Sequence, residues 1–147
     1  MTIRPYQSSD LDSCVAIFMS AYNKMPWNYQ WKAAGAAQYL QEYIGAPNFV
    51  GMVAEDNGVV CGVLFGKLKT WWTGKQFFVD ELFIDGSRHG QGIGKQLMSH
   101  CETNICRPNN VTTITLMTNK LMPAYEFYIS NDYYKVDQYV FMFKELE

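Results

Sequence analysis

Val79-Asp80-Glu81-Leu82-Phe83-Ile84, then Asp85-Gly86-Ser87, then Arg88-His89-Gly90-Gln91-Gly92-Ile93-Gly94-Lys95 and Gln96-Leu97-Met98, decide the reading of this chain. The first run reads as a strand, the last as the opening of a helix from Gly92 to about Cys106. Glycines at 90, 92 and 94 let the backbone turn tightly and present successive N–H groups. The helix start adds its own unpaired N–H groups and the positive end of its dipole. The product is an anion cradle suited to a pyrophosphate. A P-loop would need G-x-x-x-x-G-K-S/T, and Lys95 is followed by Gln96. The dinucleotide fingerprint G-x-G-x-x-G belongs early in a parallel unit; here the spacing is G-x-G-x-G, late in the chain. A Gly-rich surface turn is the plain alternative.

Working outward, Thr2 to Tyr6 reads as a strand, and Ser8-Ser9-Asp10 offers N-cap residues for a helix running to about Lys24. Pro26 breaks it, and a second helical stretch runs to about Ile44 before Gly45-Ala46-Pro47. Phe49 to Glu55, Val59 to about Trp72 and Gln76 to Ile84 form an antiparallel meander, with Asp56-Asn57-Gly58 and Thr73-Gly74-Lys75 as its turns. Gly62 and Gly66 inside the second of these strands mark a bend or a close backbone approach. Val111 to Met117 is a β-branched strand, placed parallel to the third meander strand by the intervening helix. Pro123 to about Ser130 is the last helix, and Tyr133 to Val136 and Tyr139 to Lys144 read as closing strands. The order mixes a meander with one strand–helix–strand crossover, an α/β arrangement of the α+β type.

The 147 residues suit one domain, 1–147, and 48% hydrophobic against 18% charged residues leaves ample material for a core. A net charge of −2 predicts no nucleic-acid partner. No apolar run approaches a membrane span and the N-terminus lacks a signal-peptide core, so no membrane partner and a cytoplasmic location are expected. Cys14, Cys61, Cys101 and Cys106 form no C-x-x-C, and His89 and His100 lack metal-ligand spacing. The expectation is four reduced thiols, no metal, and a structural or exposed His100.

His89-Gly90-Gln91-Gly92-Ile93-Gly94 resembles the acyl-CoA signature Q/R-x-x-G-x-G/A of the GNAT family of N-acetyltransferases. Pro123-Ala124-Tyr125-Glu126-Phe127-Tyr128-Ile129-Ser130-Asn131-Asp132-Tyr133 is similar to that family's second motif, A-x-x-F/L-Y-x-x-x-G-F. The resemblance covers nearly the whole chain. His89 departs from the signature's first position, with Arg88 next to it as the candidate replacement for its positive charge. Asp132 stands where the family has Gly, Tyr133 where it has Phe, and Leu121 where it often has Asn; Asn119 lies two residues earlier.

The resemblance implies a transferase with acetyl-CoA as cosubstrate, no metal, and direct attack by an amine in a ternary complex. It implies a mixed central sheet of about six to seven strands, splayed between the fourth and fifth, flanked by about four helices. Leu82, Phe83 and Ile84 would pair with the pantetheine arm; Arg88 through Lys95 and Asn119 would hold the rest of the cofactor. Strand backbone near Phe83 would supply an N–H to the oxyanion. Tyr128 matches the family's tyrosine, a phenol that can protonate the leaving thiolate, and is otherwise a packing tyrosine that also borders the cofactor. Polyamine acetyltransferases of the family have an acid pair where Asp80 and Glu81 stand. In a regular strand only one of the two can face the amine. Glu81 is read as catalytic and Asp80 as substrate contact; the plain alternative has one acid solvated and the other paired with a lysine. Trp27, Trp31 and Trp72, with Tyr29 and Trp71, are candidate walls of the acceptor pocket, or core packing. The acceptor is expected to be a small-molecule amine, aminoglycoside-like or polyamine-like, with a peptide amine or a non-catalytic acyl-CoA sensor as alternatives. Dimers are common among similar proteins, so a homodimer is compatible.

Overall fold

The computed structural model describes residues 1–147, in two units, Met1–Met117 and Thr118–Glu147. The first holds β1 (Thr2–Pro5), α1 (Leu11–Tyr22), α2 (Ala33–Ile44), β2 (Phe49–Asp56), β3 (Val59–Trp71), β4 (Gly74–Ile84), α3 (Ile93–Cys101) and β5 (Val111–Leu116). The sheet runs β1-β2-β3-β4-β5; its first four strands are antiparallel neighbours and β4 pairs β5 in parallel. Asn57 and Gly58 make the β2–β3 turn with φ of 51° and 80°, the positive pair that such a hairpin demands.

The helices α1 and α2 bury one face of the sheet. Phe18 is the hub, with ring centroids 5.3 Å from both Phe83 and Trp31 and 5.5 Å from Tyr39, over Val53, Val63 and Phe65. The helix α3 packs closely on β3, since a Cβ on Gly62 would lie 2.7 Å from Ile93 and 3.1 Å from Leu97. Arg4 clasps Asp10 through two hydrogen bonds of 2.9 Å and reaches Glu55 at 3.1 Å, which compensates the buried Asp10 carboxylate.

The ladder between β3 and β4 slips once. Phe65 faces Glu81 but Gly66 faces Val79, so Asp80 is an extra residue without a cross-strand partner, a β-bulge. Gly66 makes room for it: a Cβ there would sit 2.5 Å from the Phe77 ring and 2.6 Å from the Phe78 carbonyl oxygen. Pairing of β4 with β5 stops at Val79 and Leu116, at the same point. Beyond it, β4 keeps β3 and leaves β5, which is the expected splay.

The second unit holds α4 (Pro123–Ser130), with proline in the first turn where its missing N–H costs nothing. Asp132 adopts φ 69°, so aspartate does serve the left-handed turn that the family gives to glycine. The sheet has five strands rather than the six or seven expected, because Tyr133–Val136 and Tyr139–Lys144 form none. A strand is completed only by a hydrogen-bonded neighbour, and apolar alternation alone does not supply one; Phe141 and Phe143 are exposed. The end of α1 falls at Tyr22 rather than Lys24, and the helix expected from Gly92 to Cys106 starts at Ile93 and closes as a π-helical turn over Glu102–Cys106.

Gly66→Ala is expected to destabilise the protein by about 2 kcal/mol through overpacking against Phe77, read as a lower urea midpoint with an unchanged m-value.

Candidate active site

Glu81 lies on β4 one step past the bulge, opposite Phe65, and faces the helices α1 and α2. The hydroxyl of Tyr22 donates to its Oε2 at 3.4 Å and that of Tyr39 donates to its Oε1. Tyr43, one turn along α2, lies 2.8 Å from the Tyr39 hydroxyl and extends the chain of phenols. Burial among rings pushes the Glu81 carboxyl up to about 7, against the lowering pull of the Tyr39 and Tyr22 hydrogen bonds, with a further rise from the charge of Asp80. Burial also raises the phenol of Tyr39, and Glu81 beside it adds to that shift. A carboxyl poised near neutrality can take a proton and release it again at ordinary pH.

The bulge removes the strict alternation expected for the acid pair. Asp80 meets Lys67 at 3.3 Å, two residues from Phe65 on the same face of β3, and Lys67 also lies 5.0 Å over the Phe78 ring. Burial raises the Asp80 carboxyl and Lys67 partly offsets this. The lysine pairing read as the plain alternative therefore applies to Asp80, while Glu81 accepts from two phenols.

An aromatic layer surrounds Glu81. Tyr29 stacks on Tyr22 with centroids 6.2 Å apart, Trp27 meets Tyr22 edge-on at 5.5 Å, and Trp31 lies 5.1 Å from Tyr39. Trp27 and Trp31 lie in this aromatic layer; Trp72 lies outside it, 86% exposed in the β3–β4 turn. Six strand positions separate Trp71 from Phe65, roughly 20 Å at about 3.3 Å per residue. Sequence reasoning missed Tyr22, Tyr39 and Tyr43 as site residues. Their helical spacing signalled core, and only the partner strand shows that the Tyr22 and Tyr39 hydroxyls meet a carboxylate, with Tyr43 behind Tyr39.

The glycine loop follows β4 and is braced on several sides. Lys24 donates to the Gly86 carbonyl at 2.8 Å, Gly86 N–H donates to the Ser20 hydroxyl at 3.3 Å, and Asp85 accepts from Ser87 N–H at 3.0 Å. Arg88 pairs with Asp56 at 2.6 Å, and His89 Nε2 lies 3.0 Å from the Ile84 carbonyl oxygen. Arg88 and His89 therefore both have protein partners, in the β2–β3 turn and on β4. Gly90 and Gly92 have φ of 80° and 79°, and a Cβ at either would meet nothing within 4 Å. Glycine is needed there for the backbone conformation and not for space. Gly92 caps α3 with no side chain, Gln96 N–H donates to the Gly92 carbonyl at 3.1 Å, and the N–H groups of Ile93, Gly94 and Lys95 precede that bond. The side chains of Lys95 and Gln96 line a separate groove of about 450 Å³ with Ile3, Ser99 and His100. Leu82, Phe83 and Ile84 pair with Leu64, Val63 and Gly62 on one side, and their other edge has no β5 partner.

In the second unit, Tyr128 packs against Phe127 and Tyr133 at centroid distances of 5.1 and 5.3 Å, and its carbonyl accepts from Tyr133 N–H. Asn119 closes a local turn by accepting from Leu121 N–H at 2.9 Å.

The profile of the acetyltransferase (GNAT) family matches residues 12–130. The chain belongs to that family. This acetyltransferase matches no curated protein sequence. Among solved structures it is similar to a transcriptional regulator from Bacillus halodurans, at 19% identity, TM-score 0.78, covering 97% of this chain and 99% of that one. It is similar to an aminoglycoside antibiotic 6′-N-acetyltransferase from Acinetobacter haemolyticus, at 12% identity, TM-score 0.76, covering 100% of each. A third, a possible acetyltransferase from Clostridium difficile, shares 14% identity with TM-score 0.80, covering 99% and 98%. These likenesses show the fold. The family implies acetyl-CoA, and the features on this chain fit it: positive-φ glycines, an uncapped helix start and an open strand edge beside it.

Gly92→Ala forces an alanine to φ near 79°, at about 1–2 kcal/mol. Acetyl-CoA affinity is expected to fall about tenfold by calorimetry, with the circular dichroism spectrum unchanged.

Proposed function

We propose that this acetyltransferase moves an acetyl group from acetyl-CoA to a primary amine of a small molecule by direct attack, with Glu81 accepting the amine's proton. The observation that carries this is the Glu81 carboxyl, raised to about 7 and held at each oxygen by a tyrosine hydroxyl, on the strand that opens away from β5. An alkylammonium has a pKa of about 10, so it must lose a proton before its nitrogen can attack. Acetyl-CoA, when bound, supplies an activated acyl carbon. Glu81 takes the first proton from nitrogen and passes it to solvent; a C–N bond forms and the C–S bond breaks, and nitrogen's second proton balances the one delivered to sulfur. Tyr128 is assigned the proton that returns to sulfur, as the resemblance implies. The balance is R–NH3+ plus acetyl thioester giving amide, thiol and one proton. Leu82, Phe83 and Ile84 are assigned the pantetheine arm and the glycine loop the pyrophosphate, with Arg88 and His89 at its margins; Asn119 is assigned a cofactor contact only as the resemblance implies.

Glu81 must be ionised to act, so kcat/KM is expected to rise with pH through a limb near 7 and then level. Glu81→Gln should remove that limb and lower kcat/KM by ~10²-fold or more. The same shift predicts a stability effect. A carboxyl raised on folding contributes stability that is present below its unfolded value and lost as pH rises through about 7. This amounts to about 3 kcal/mol. The thermal midpoint of wild type should therefore fall more between pH 5 and pH 8 than that of Glu81→Gln. A parallel fall in both proteins would show that Glu81 does not titrate in this range. Tyr128→Phe is expected to reduce kcat by ~10²-fold with acetyl-CoA affinity nearly unchanged, and equal activity would return Tyr128 to packing.

A further inference from the structure

Cys101 and Cys106 place their sulfurs 3.9 Å apart, and both residues are buried. They are the last residue of α3 and the last of the π-helical turn that closes it. In an α-helix, positions five apart fall about 140° from each other around the axis, and their side chains do not meet. The π turn changes this. Arg107 N–H donates to the Glu102 carbonyl at 3.0 Å, and the wider turn brings residues five apart over one another. The meeting of the two thiols is therefore a product of this turn. The other thiols are separate cases: Cys14 is buried in α1, and Cys61 in β3 has its sulfur 3.5 Å from the Ala54 carbonyl oxygen.

The gap of 3.9 Å exceeds a disulfide bond by about 2 Å, so each sulfur need travel only about 1 Å to close it. The shared S–H···S hydrogen bond lowers the Cys106 thiol and raises the Cys101 thiol, which makes Cys106 the first to ionise. Cys106 also stands at the helix end, where the chain opens at least cost, and Arg107 and Pro108 after it are exposed.

We propose that Cys101 and Cys106 are a modification site for small disulfides, which convert the pair into one internal disulfide across the π turn. The Cys106 thiolate attacks a sulfur of the small disulfide; a new S–S bond forms, and the first small thiolate leaves with the electron pair of the old one. Cys101 then gives up its proton, attacks the Cys106 sulfur and expels the second small thiolate. The protons of the two protein thiols end on the two small thiols. Two protein thiols are oxidised by two electrons and one disulfide is reduced to two thiols. The site uses neither Glu81 nor the glycine loop, so it stands apart from the acetyltransfer reading.

The test incubates the reduced, folded full chain with 2-hydroxyethyl disulfide, alkylates the remaining thiols in denaturant and maps the tryptic peptides by mass. Both cysteines lie on one peptide, because no Lys or Arg stands between Lys95 and Arg107. The expected product is that peptide, free of alkyl groups and two hydrogens short, formed at least about tenfold faster than any change at Cys14 or Cys61 and reversed by dithiothreitol. Cys101→Ala should accumulate the mixed disulfide at Cys106, because the thiol that resolves it is gone, and Cys106→Ala should leave Cys101 unmodified. Modification of Cys14 or Cys61 as fast as the pair overturns the proposal. So does the absence of the bridge from the folded chain, or a bridge that forms only after unfolding in urea. These outcomes are read on the wild-type chain and do not depend on either variant folding.

Discussion

Between Phe65 and Gly66 the ladder of β3 and β4 slips by one residue, and the geometry of the site follows from that slip. A regular strand would send Asp80 and Glu81 to opposite faces. The bulge instead lets Asp80 reach Lys67 while Glu81 meets the phenols of α1 and α2. It sits where β5 stops pairing, so the same short stretch of β4 provides a carboxyl on one face and an open backbone edge beside it. Gly66 is the residue that makes this affordable in space, since no Cβ fits beside Phe77 and the Phe78 carbonyl.

The electrostatics of Glu81 result from two opposed effects. Burial among Phe18, Phe83 and the tyrosine rings disfavours the charged form, and the hydroxyls of Tyr39 and Tyr22 favour it. Burial is the larger effect, but the hydrogen bonds keep the carboxyl within reach of neutral pH instead of leaving it permanently protonated. Asp80, with a lysine partner, is a poorer proton acceptor for an incoming ammonium because its charge is already matched. Two neighbouring acids thus have different surroundings, which supports giving them different roles.

The glycine loop is held on several sides by the protein's own side chains. Ser20 and Lys24 from α1 hold Gly86, Asp85 holds Ser87, and Asp56 holds Arg88. The N–H groups at the start of α3 receive no capping side chain because Gly92 offers none. The positive charge next to the signature's first position is tied to Asp56 at the end of β2, so on the proposed reading the backbone dipoles, rather than Arg88, are the loop's first attraction for phosphate.

Much of this was legible in the amino-acid order. The glycine spacing before a helix, the meander, the parallel crossover to β5, the acid pair and the second motif at α4 are local patterns, and local patterns determine backbone conformation and which face a residue takes. The closing strands were misread because alternation states a preference while pairing requires a neighbour. Trp72 lies apart from the aromatic layer around Glu81 because residues near a strand in sequence can sit a full hairpin away from a given point on it. Only the tertiary structure decided that Tyr22 and Tyr39, 59 and 42 residues from Glu81, would hold its two oxygens, and that Asp80 would go to Lys67. Those choices depend on a one-residue slip between two strands and on helix packing across the sheet. No periodicity within a single segment encodes either of them.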